Sequence, residues 1–298
     1  MKYCISCMEK TENDFGICPY CGFSGEDGIS DPYRLKAGSM FENRYYIGKI
    51  IESDKFGYSY IAYDTIMKRK AVIRQLYYHS YSEPKEMIDD FLKYQNAEYF
   101  CEFYEKLASI YDVDFIQRVY TFKTNEIAVF SVNEYISDMT AEDYINKNQK
   151  IPCETAVKLI LPTLRAISVI HEKNLYHGNL SVANLRYIRD RGFVICDFPG
   201  INGSGKTDPN ELQDYIEKSR QDDIFNIIRI LVMLVSGLKN ITENDFNRRF
   251  FKSKEIVMPE EITSFLFSIP KKDFEKSQLS ASVMIDYFNG IAEKKDQC

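Results

Sequence analysis

The sequence predicts an α+β fold with two lobes, preceded by a small metal-binding module. Three observations support this prediction. A chain of 298 residues is long enough for one large two-lobed unit or for two domains. Four of its cysteines form two Cys-x-x-Cys pairs near the N-terminus. A polar motif at residues 177–199 follows a long segment with the apolar spacing of a helix.

The composition narrows the class of protein. The net charge is −6 and the pI is about 5.3, which disfavours binding to bulk nucleic acid. The N-terminus lacks the apolar core of a signal peptide. The longest apolar stretch, Phe225 to Leu238, contains Arg229 and is too short to span a bilayer, so a buried helix is predicted there. We therefore expect a cytoplasmic protein with no membrane span and no nucleic-acid partner.

The first four cysteines have the spacing of a metal site. Cys4 and Cys7 form one pair, and Cys18 and Cys21 form a second, with ten residues between the pairs. Each pair turns two thiolates towards one point, and two pairs complete a tetrahedral site that suits Zn²⁺. Two disulfides fit poorly with a reducing cytoplasm, and a redox pair would need a βαβ pattern that the sequence lacks. The motif predicts a closed, structural zinc ribbon at residues 1–28.

Two longer segments follow the cysteines. Residues 23–40, with Gly25, Gly28, Pro32 and Gly38 among acidic and polar side chains, indicate a linker, which we place at residues 29–40. Residues 155–171 have the apolar spacing of a long helix that packs on a core. The apolar positions of this helix are Val157, Ile160, Leu161, Leu164, Ile167 and Ile170.

A polar motif comes directly after that helix. Residues 177–184 read His-Gly-Asn-Leu-Ser-Val-Ala-Asn, and Asp197-Phe198-Pro199 begins thirteen residues after Asn184. The spacing resembles the HRDxxxxN and DFG motifs of protein kinases, in which the first Asp accepts the substrate proton and the other two polar residues hold metal ions. Here the base position is Asn179, whose carboxamide has no basic lone pair at neutral pH. The match indicates the kinase fold and argues against its reaction.

From residue 41 to about residue 290, the chain resembles the bacterial Ser/Thr protein kinase family that carries N-terminal zinc ribbons. The resemblance implies an antiparallel-sheet N-lobe at residues 41–136 and a mainly helical C-lobe at residues 137–298. It also implies that Asp223 is the buried carboxylate that accepts backbone amides of the catalytic loop, a role that survives the loss of catalysis.

The nucleotide-facing positions of the implied N-lobe depart from the family pattern. Glu52 and Asp54 occupy the first two glycine positions of the phosphate loop, and only Gly57 remains. Two carboxylates there would repel a polyphosphate, so an ordinary hairpin is the preferred interpretation. Arg74 replaces the lysine that pairs with the phosphates, and the two side chains are not equivalent. Val72 replaces the alanine expected to lie against adenine.

The family also has a glutamate on the helix of the N-lobe. This position is altered here, whereas two metal-binding positions are retained. Phe103 stands where the family has a glutamate, and Glu102 and Glu105 would substitute for it only if the helix were rotated or the register with the family were shifted. Asn184 and Asp197 carry hard oxygen ligands, so the resemblance leaves room for residual Mg²⁺ and ATP binding at these two residues.

Residues 200–207 formally match a different nucleotide motif, GxxxxGK[ST]. A true P-loop needs a helix that begins at the Lys-Thr and a parallel sheet behind it. Pro209 lies three residues after Lys206, and no suitable second strand is evident. We therefore assign this stretch to the loop that follows Asp197.

Three functions follow from these observations. The first is a catalytically impaired kinase-like protein, a pseudokinase that serves as a signalling scaffold or regulatory module for a protein partner. The second is an atypical Ser/Thr kinase or another nucleotide-binding transferase, with Mg²⁺ and nucleotide held by Asn184 and Asp197 and the phosphates contacted by Arg74 or Lys55. The third is a P-loop NTPase that uses residues 200–207. The simultaneous changes at the glycine loop, lysine, glutamate and base favour the first.

Overall fold

A computed structural model describes residues 2–11, 16–25, 34–54, 57–77, 97–124, 128–136, 139–189, 191–198, 209–239, 241–242, 245, 258–268 and 280–295. These residues divide into two compact units. The first unit contains the described residues up to 109 together with 118–135. The second contains residues 110–117 and the described residues from 136 onward. The prediction of a chain with both helices and sheets is confirmed, and each unit is described by itself below.

The first unit is built on a curled antiparallel sheet. Its strands, after the N-terminal pair β1 (Lys2–Tyr3) and β2 (Lys10–Thr11), are β3 (Met40–Phe41), β4 (Tyr45–Asp54), β5 (Gly57–Asp64), β6 (Arg69–Tyr77), β7 (Val119–Thr124) and β8 (Ala128–Glu134). Six of them form one sheet in the order β3-β4-β5-β6-β8-β7, and every neighbouring pair is antiparallel.

The curl of this sheet brings its two edges together. Because side chains alternate along a strand, one face of the sheet forms a continuous buried core. That core consists of Tyr45, Ile47, Tyr60, Ala62, Ala71, Ile73, Ala128, Phe130 and Val132. The ring of Phe41 on edge strand β3 lies 4.9 Å from the ring of Phe130 on β8. Glu42, just after β3, forms an ion pair with Lys123 on the opposite edge strand. The sheet is therefore a half-barrel.

The end of the predicted linker lies along this sheet. The Leu35 amide donates to the Tyr60 hydroxyl at 3.0 Å, and the Gly38 amide donates to the Ile47 carbonyl at 2.8 Å. Residues 29–33 of the same segment lie outside the described residues. The described part of the segment thus makes ordered contacts with β4 and β5.

One helix packs on the sheet near β7 and β8. This helix, α1, spans Ala97–Ala108 and buries Phe103, Tyr104 and Leu107. The Tyr104 ring lies 6.0 Å from Phe122 on β7. The Phe103 and Tyr104 side chains of α1 therefore point towards the protein interior.

The second unit is mainly helical. Its elements are α2 (Ala141–Asn148), α3 (Cys153–Glu172), β9 (Leu185–Ile188), β10 (Gly192–Ile195), α4 (Pro209–Ser236), α5 (Glu260–Ser268) and α6 (Ala281–Lys295). Strands β9 and β10 form an antiparallel hairpin, and α3 packs against β10, α4 and α6. The predicted stripe of α3 is buried at every position except Leu161, which is partly exposed.

Helix α4 contains the long apolar stretch. Its side chains at Ile224, Ile227, Ile228 and Leu231 are buried, which confirms the predicted buried helix. Across the described residues, no helix combines the length and the apolar character needed to cross a bilayer.

Candidate functional site

The four N-terminal cysteines converge on one point. Their sulfur atoms all lie within 4.8 Å of one another, and none is in a disulfide. The Cys4 and Cys21 sulfurs are 3.8 Å apart, and so are those of Cys7 and Cys18. A tetrahedron with Zn–S bonds of about 2.3 Å has sulfur separations of about 3.8 Å. The cluster therefore has the ligand set and size of a site for a divalent metal ion such as Zn²⁺.

The two cysteine turns share one backbone geometry. The Met8 amide donates to the Cys4 carbonyl at 2.9 Å, and the Gly22 amide donates to the Cys18 carbonyl at 2.8 Å. Met8 and Gly22 both have positive φ, at 58° and 72°. Each turn thus closes four residues after its first cysteine, and this closure aims both sulfurs of the pair inward.

The thiols of the cluster have divergent pKa values. Burial raises the pKa of the Cys7 thiol to about 12. Burial also acts on Cys18, but backbone amides of Cys21 and Tyr20 outweigh it and lower that pKa to about 7. A metal ion that binds these thiols would displace the protons that they carry.

Asp223 on α4 organises the loop at residues 177–184. Its carboxylate is fully buried and accepts the His177 amide at 2.7 Å and the Gly178 amide at 2.9 Å. The Nε2 atom of His171, near the end of α3, lies 3.2 Å from the same carboxylate. The amide contacts match the role that the resemblance implied for Asp223.

His177 is a structural residue held in one neutral form. Its Nε2 atom lies 2.9 Å from the Cys196 carbonyl, which only accepts, so Nε2 carries the proton. Its Nδ1 atom accepts the Asn179 amide at 3.3 Å. Complete burial lowers the pKa of the ring despite the nearby Asp223 and Asp197 carboxylates. The imidazole therefore links the loop to the strand end and remains uncharged.

We expect the burial of His177 to make stability depend on pH. The unfolded ring takes up a proton near its ordinary pKa of 6.5, whereas the folded ring resists protonation. The unfolding free energy should therefore fall below that pH, by up to about 1.4 kcal/mol per pH unit. Urea unfolding between pH 5.5 and 7.5 measures this slope. His177→Gln should reduce it, and an unchanged slope in that variant would contradict the assignment.

The remaining loop residues form a small network of amide contacts. Asn179 is exposed, and its backbone carbonyl accepts the Asn184 side-chain amide at 2.8 Å. The Asn184 side-chain oxygen accepts the Ser181 amide at 2.7 Å and lies 3.2 Å from the Ser181 hydroxyl. Asn184 is therefore fixed in place by the loop itself. The structure holds position 179 at the surface and buries position 184.

Asp197 is paired with an arginine that the sequence analysis missed. Arg186 on β9 places a guanidinium nitrogen 3.4 Å from the Asp197 carboxylate, which is 8% exposed. The Asp197 amide donates to the Gln117 side chain at 3.2 Å, and its φ is +57°. Asn184 lies beside it, because the Asn184 carbonyl accepts the Cys196 amide at 2.9 Å. The sequence offered one signal for this pairing, which is that an arginine stands two positions after Asn184, on the strand that pairs with β10.

In the first unit, the predicted nucleotide-facing residues are packed into the sheet. Arg74 is 3% exposed and donates to the Ser59 hydroxyl at 3.3 Å, and Val72 is buried beside it on β6. Gly57 is required by packing, because a β-carbon there would lie 1.9 Å from the Gln75 carbonyl oxygen. Packing alone therefore explains why position 57 is a glycine, without a phosphate ligand.

The helix glutamates do not face the sheet. Glu102 and Glu105 are exposed, and Glu102 forms an ion pair with Lys106 at 2.5 Å. Phe103 is buried between them. The rotated-helix alternative is therefore wrong, because rotation would have turned a glutamate inward.

Several predicted positions fall outside the described residues. These are Pro199 and the whole of the 200–207 motif, and the side chain of Asp54 is likewise not described. Helix α4 begins at Pro209, beyond the Lys-Thr of the motif.

Comparison with known proteins finds kinases. Serine/threonine-protein kinase PrkC of Bacillus subtilis (strain 168) is 23% identical over 161 residues, which are 54% of this chain and 23% of PrkC. Probable serine/threonine-protein kinase fnkB of Dictyostelium discoideum is 26% identical over 93 residues, which are 31% of this chain and 18% of fnkB. No family model matches. The chain is therefore similar to Ser/Thr protein kinases over part of its length and spans less than a quarter of either relative.

Proposed function

We propose that the chain is a pseudokinase with the two-lobed kinase fold, and that it works as a signalling scaffold or regulatory binding module without transferring phosphate. One observation carries the proposal. Asp223 holds the backbone of the 177–178 segment in place, while the neighbouring Asn179 presents a carboxamide where a base is required. The supporting frame of the loop is present, and the group that would accept a proton is not.

The environment of Asp197 supports the same proposal. Phosphoryl transfer needs divalent cations to neutralise charge on the phosphates, and carboxylate and amide oxygens hold them. Arg186 already supplies a positive charge to Asp197. A cation entering at Asp197 would have to displace or repel this guanidinium.

We further propose that the four cysteines hold Zn²⁺ as a structural ion, and that the protein acts in the cytoplasm through a protein partner. All four ligand positions of the cluster are thiolates, so the coordination sphere is closed and offers no open position for catalysis. The metal would stabilise the N-terminal module, which is too short to build a core of its own.

The test combines a phosphotransfer assay with a binding assay. Purified protein incubated with radiolabelled ATP, Mg²⁺ and a generic protein acceptor should transfer no label. Thermal unfolding with Mg²⁺–ATP should show no stabilisation, whereas a ligand at 100 times its Kd would add about 2.7 kcal/mol. Label on the acceptor that disappears in Asp197→Asn would contradict the proposal.

Two alternatives give different outcomes in the same assays. An atypical transferase would be stabilised by Mg²⁺–ATP, and Asp197→Asn or Arg74→Ala would remove the effect. A P-loop NTPase would instead lose binding with Lys206→Ala. The antiparallel β9–β10 hairpin, rather than a parallel sheet, precedes residues 200–207 and disfavours that last function.

A further inference from the structure

The cysteine module contacts the half-barrel sheet through its backbone. The Lys49 amide on β4 donates to the Ile5 carbonyl at 2.6 Å. Ile5 lies between Cys4 and Cys7, so this hydrogen bond originates inside the first metal-binding turn. The turn that presents two of the sulfurs is therefore also a surface that touches the sheet.

A glycine on β4 makes close contact with the same turn. A β-carbon at Gly48 would lie 2.1 Å from the Met8 side chain and 2.5 Å from the Ile5 carbonyl oxygen. Met8 follows Cys7 directly and is 2% exposed. Only a residue without a side chain fits at position 48, so the contact is closely packed on both sides.

Side-chain contacts extend this interface to β5 and β6. The Tyr3 ring stacks on Tyr63 of β5 with centroids 4.3 Å apart. Glu9 forms an ion pair with Lys70 of β6 at 2.9 Å. These residues flank the first cysteine turn, so the module touches three adjacent strands.

The covered face is the one that carries Val72. The Gly48 position is also crowded by Ile61, whose methyl group would lie 2.7 Å from an added β-carbon. Ile61 is paired directly opposite Val72 on β6, and residues opposite each other point to the same face. The cysteine module therefore shields part of this face.

We infer that metal binding at the four cysteines is coupled to the stability of β4, β5 and β6, so that the loaded module clamps this sheet and metal loss releases it. The inference rests on the metal site proposed above. Without the ion, the turn at Cys4–Cys7 has no core to define it, and the surface it offers to Gly48 and Lys49 is lost. Loss of metal would thus loosen strands that contain no metal ligand.

Hydrogen exchange measured by mass spectrometry tests the coupling on the full chain. The zinc-loaded protein is compared with protein stripped by a chelator under reducing conditions, after metal content has been measured. Amides of β4 and β5 should exchange roughly tenfold faster or more without zinc. Helix α3 of the second unit serves as the internal reference and should be unchanged.

Substitutions at the interface separate metal binding from the coupling. Gly48→Ala retains all four cysteines and should still bind one zinc per chain, but zinc should no longer slow exchange in β4 and β5. Gly16→Ala is the matched control, because an added β-carbon there has no neighbour within 4 Å. If Gly48→Ala does not fold, Tyr3→Ala should reduce the coupling in the same direction.

Each outcome has a defined meaning. Stoichiometric zinc with identical exchange in loaded and stripped protein would overturn the inference and leave the metal site intact. Full zinc protection in folded Gly48→Ala would also overturn it. Absence of zinc from the purified protein, with no uptake on titration, would overturn both the metal site and the inference.

Discussion

Replacing Asp223 with alanine is expected to lower the unfolding free energy by about 4 kcal/mol, since two backbone amides would lose a fully buried, charged acceptor. The carboxylate is inaccessible to water and accepts the amides of His177 and Gly178. No solvent would replace these hydrogen bonds without reorganising the loop. Chemical denaturation followed by circular dichroism gives the change.

A second carboxylate on the same helix provides the control for Asp223. Asp214 is exposed, so Asp214→Ala should change stability by less than about 0.5 kcal/mol. Asp223→Asn should be intermediate, because a carboxamide oxygen accepts one amide while its NH₂ group opposes the other. A loss of stability below about 1 kcal/mol in Asp223→Ala, which is the size of one ordinary hydrogen bond, would mean that other contacts hold the loop.

Replacing Arg186 with glutamine is expected to create a divalent-cation site, with affinity for Mn²⁺ raised roughly tenfold or more. The change removes a positive charge 3.4 Å from the Asp197 carboxylate. Asn184 remains in place, with its backbone carbonyl accepting the amide of Cys196, the residue before Asp197. Electron paramagnetic resonance of Mn²⁺, recorded with the cysteines loaded with zinc, measures free and bound ion.

Two further variants isolate the effect of Arg186. Arg191→Gln removes an exposed arginine, paired with Asp114 at 3.2 Å, and should leave Mn²⁺ binding unchanged. Combining Arg186→Gln with Asp197→Asn should abolish the gained binding. If the unmodified protein already binds Mn²⁺ as tightly as Arg186→Gln, the guanidinium does not occupy the cation position.

Local features of the fold could be predicted from the sequence. The cysteine cluster follows from spacing alone, because two short turns fix four sulfurs with little help from the rest of the chain. The helix at residues 153–172 follows from its apolar repeat. The contacts of Asp223 were implied by the motif spacing that relates this chain to kinases.

Features that depend on register between distant segments could not be predicted. Arg186 reaches Asp197 because Leu185 pairs with Ile195 in the β9–β10 hairpin, and a shift of one residue would turn the arginine to the other face. The docking of the cysteine module depends on Gly48 meeting Met8 across 40 residues of chain. Nothing in either local sequence specifies such a partner.

The guanidinium of Arg186 is part of the polypeptide, so the positive charge beside Asp197 is always present. A dissolved magnesium ion comes and goes with the ionic composition and the nucleotide supply of the cell. The charge around Asp197 would therefore not change with the ionic composition or the nucleotide supply. Binding of the proposed protein partner near Asp197 would therefore not depend on the concentration of magnesium.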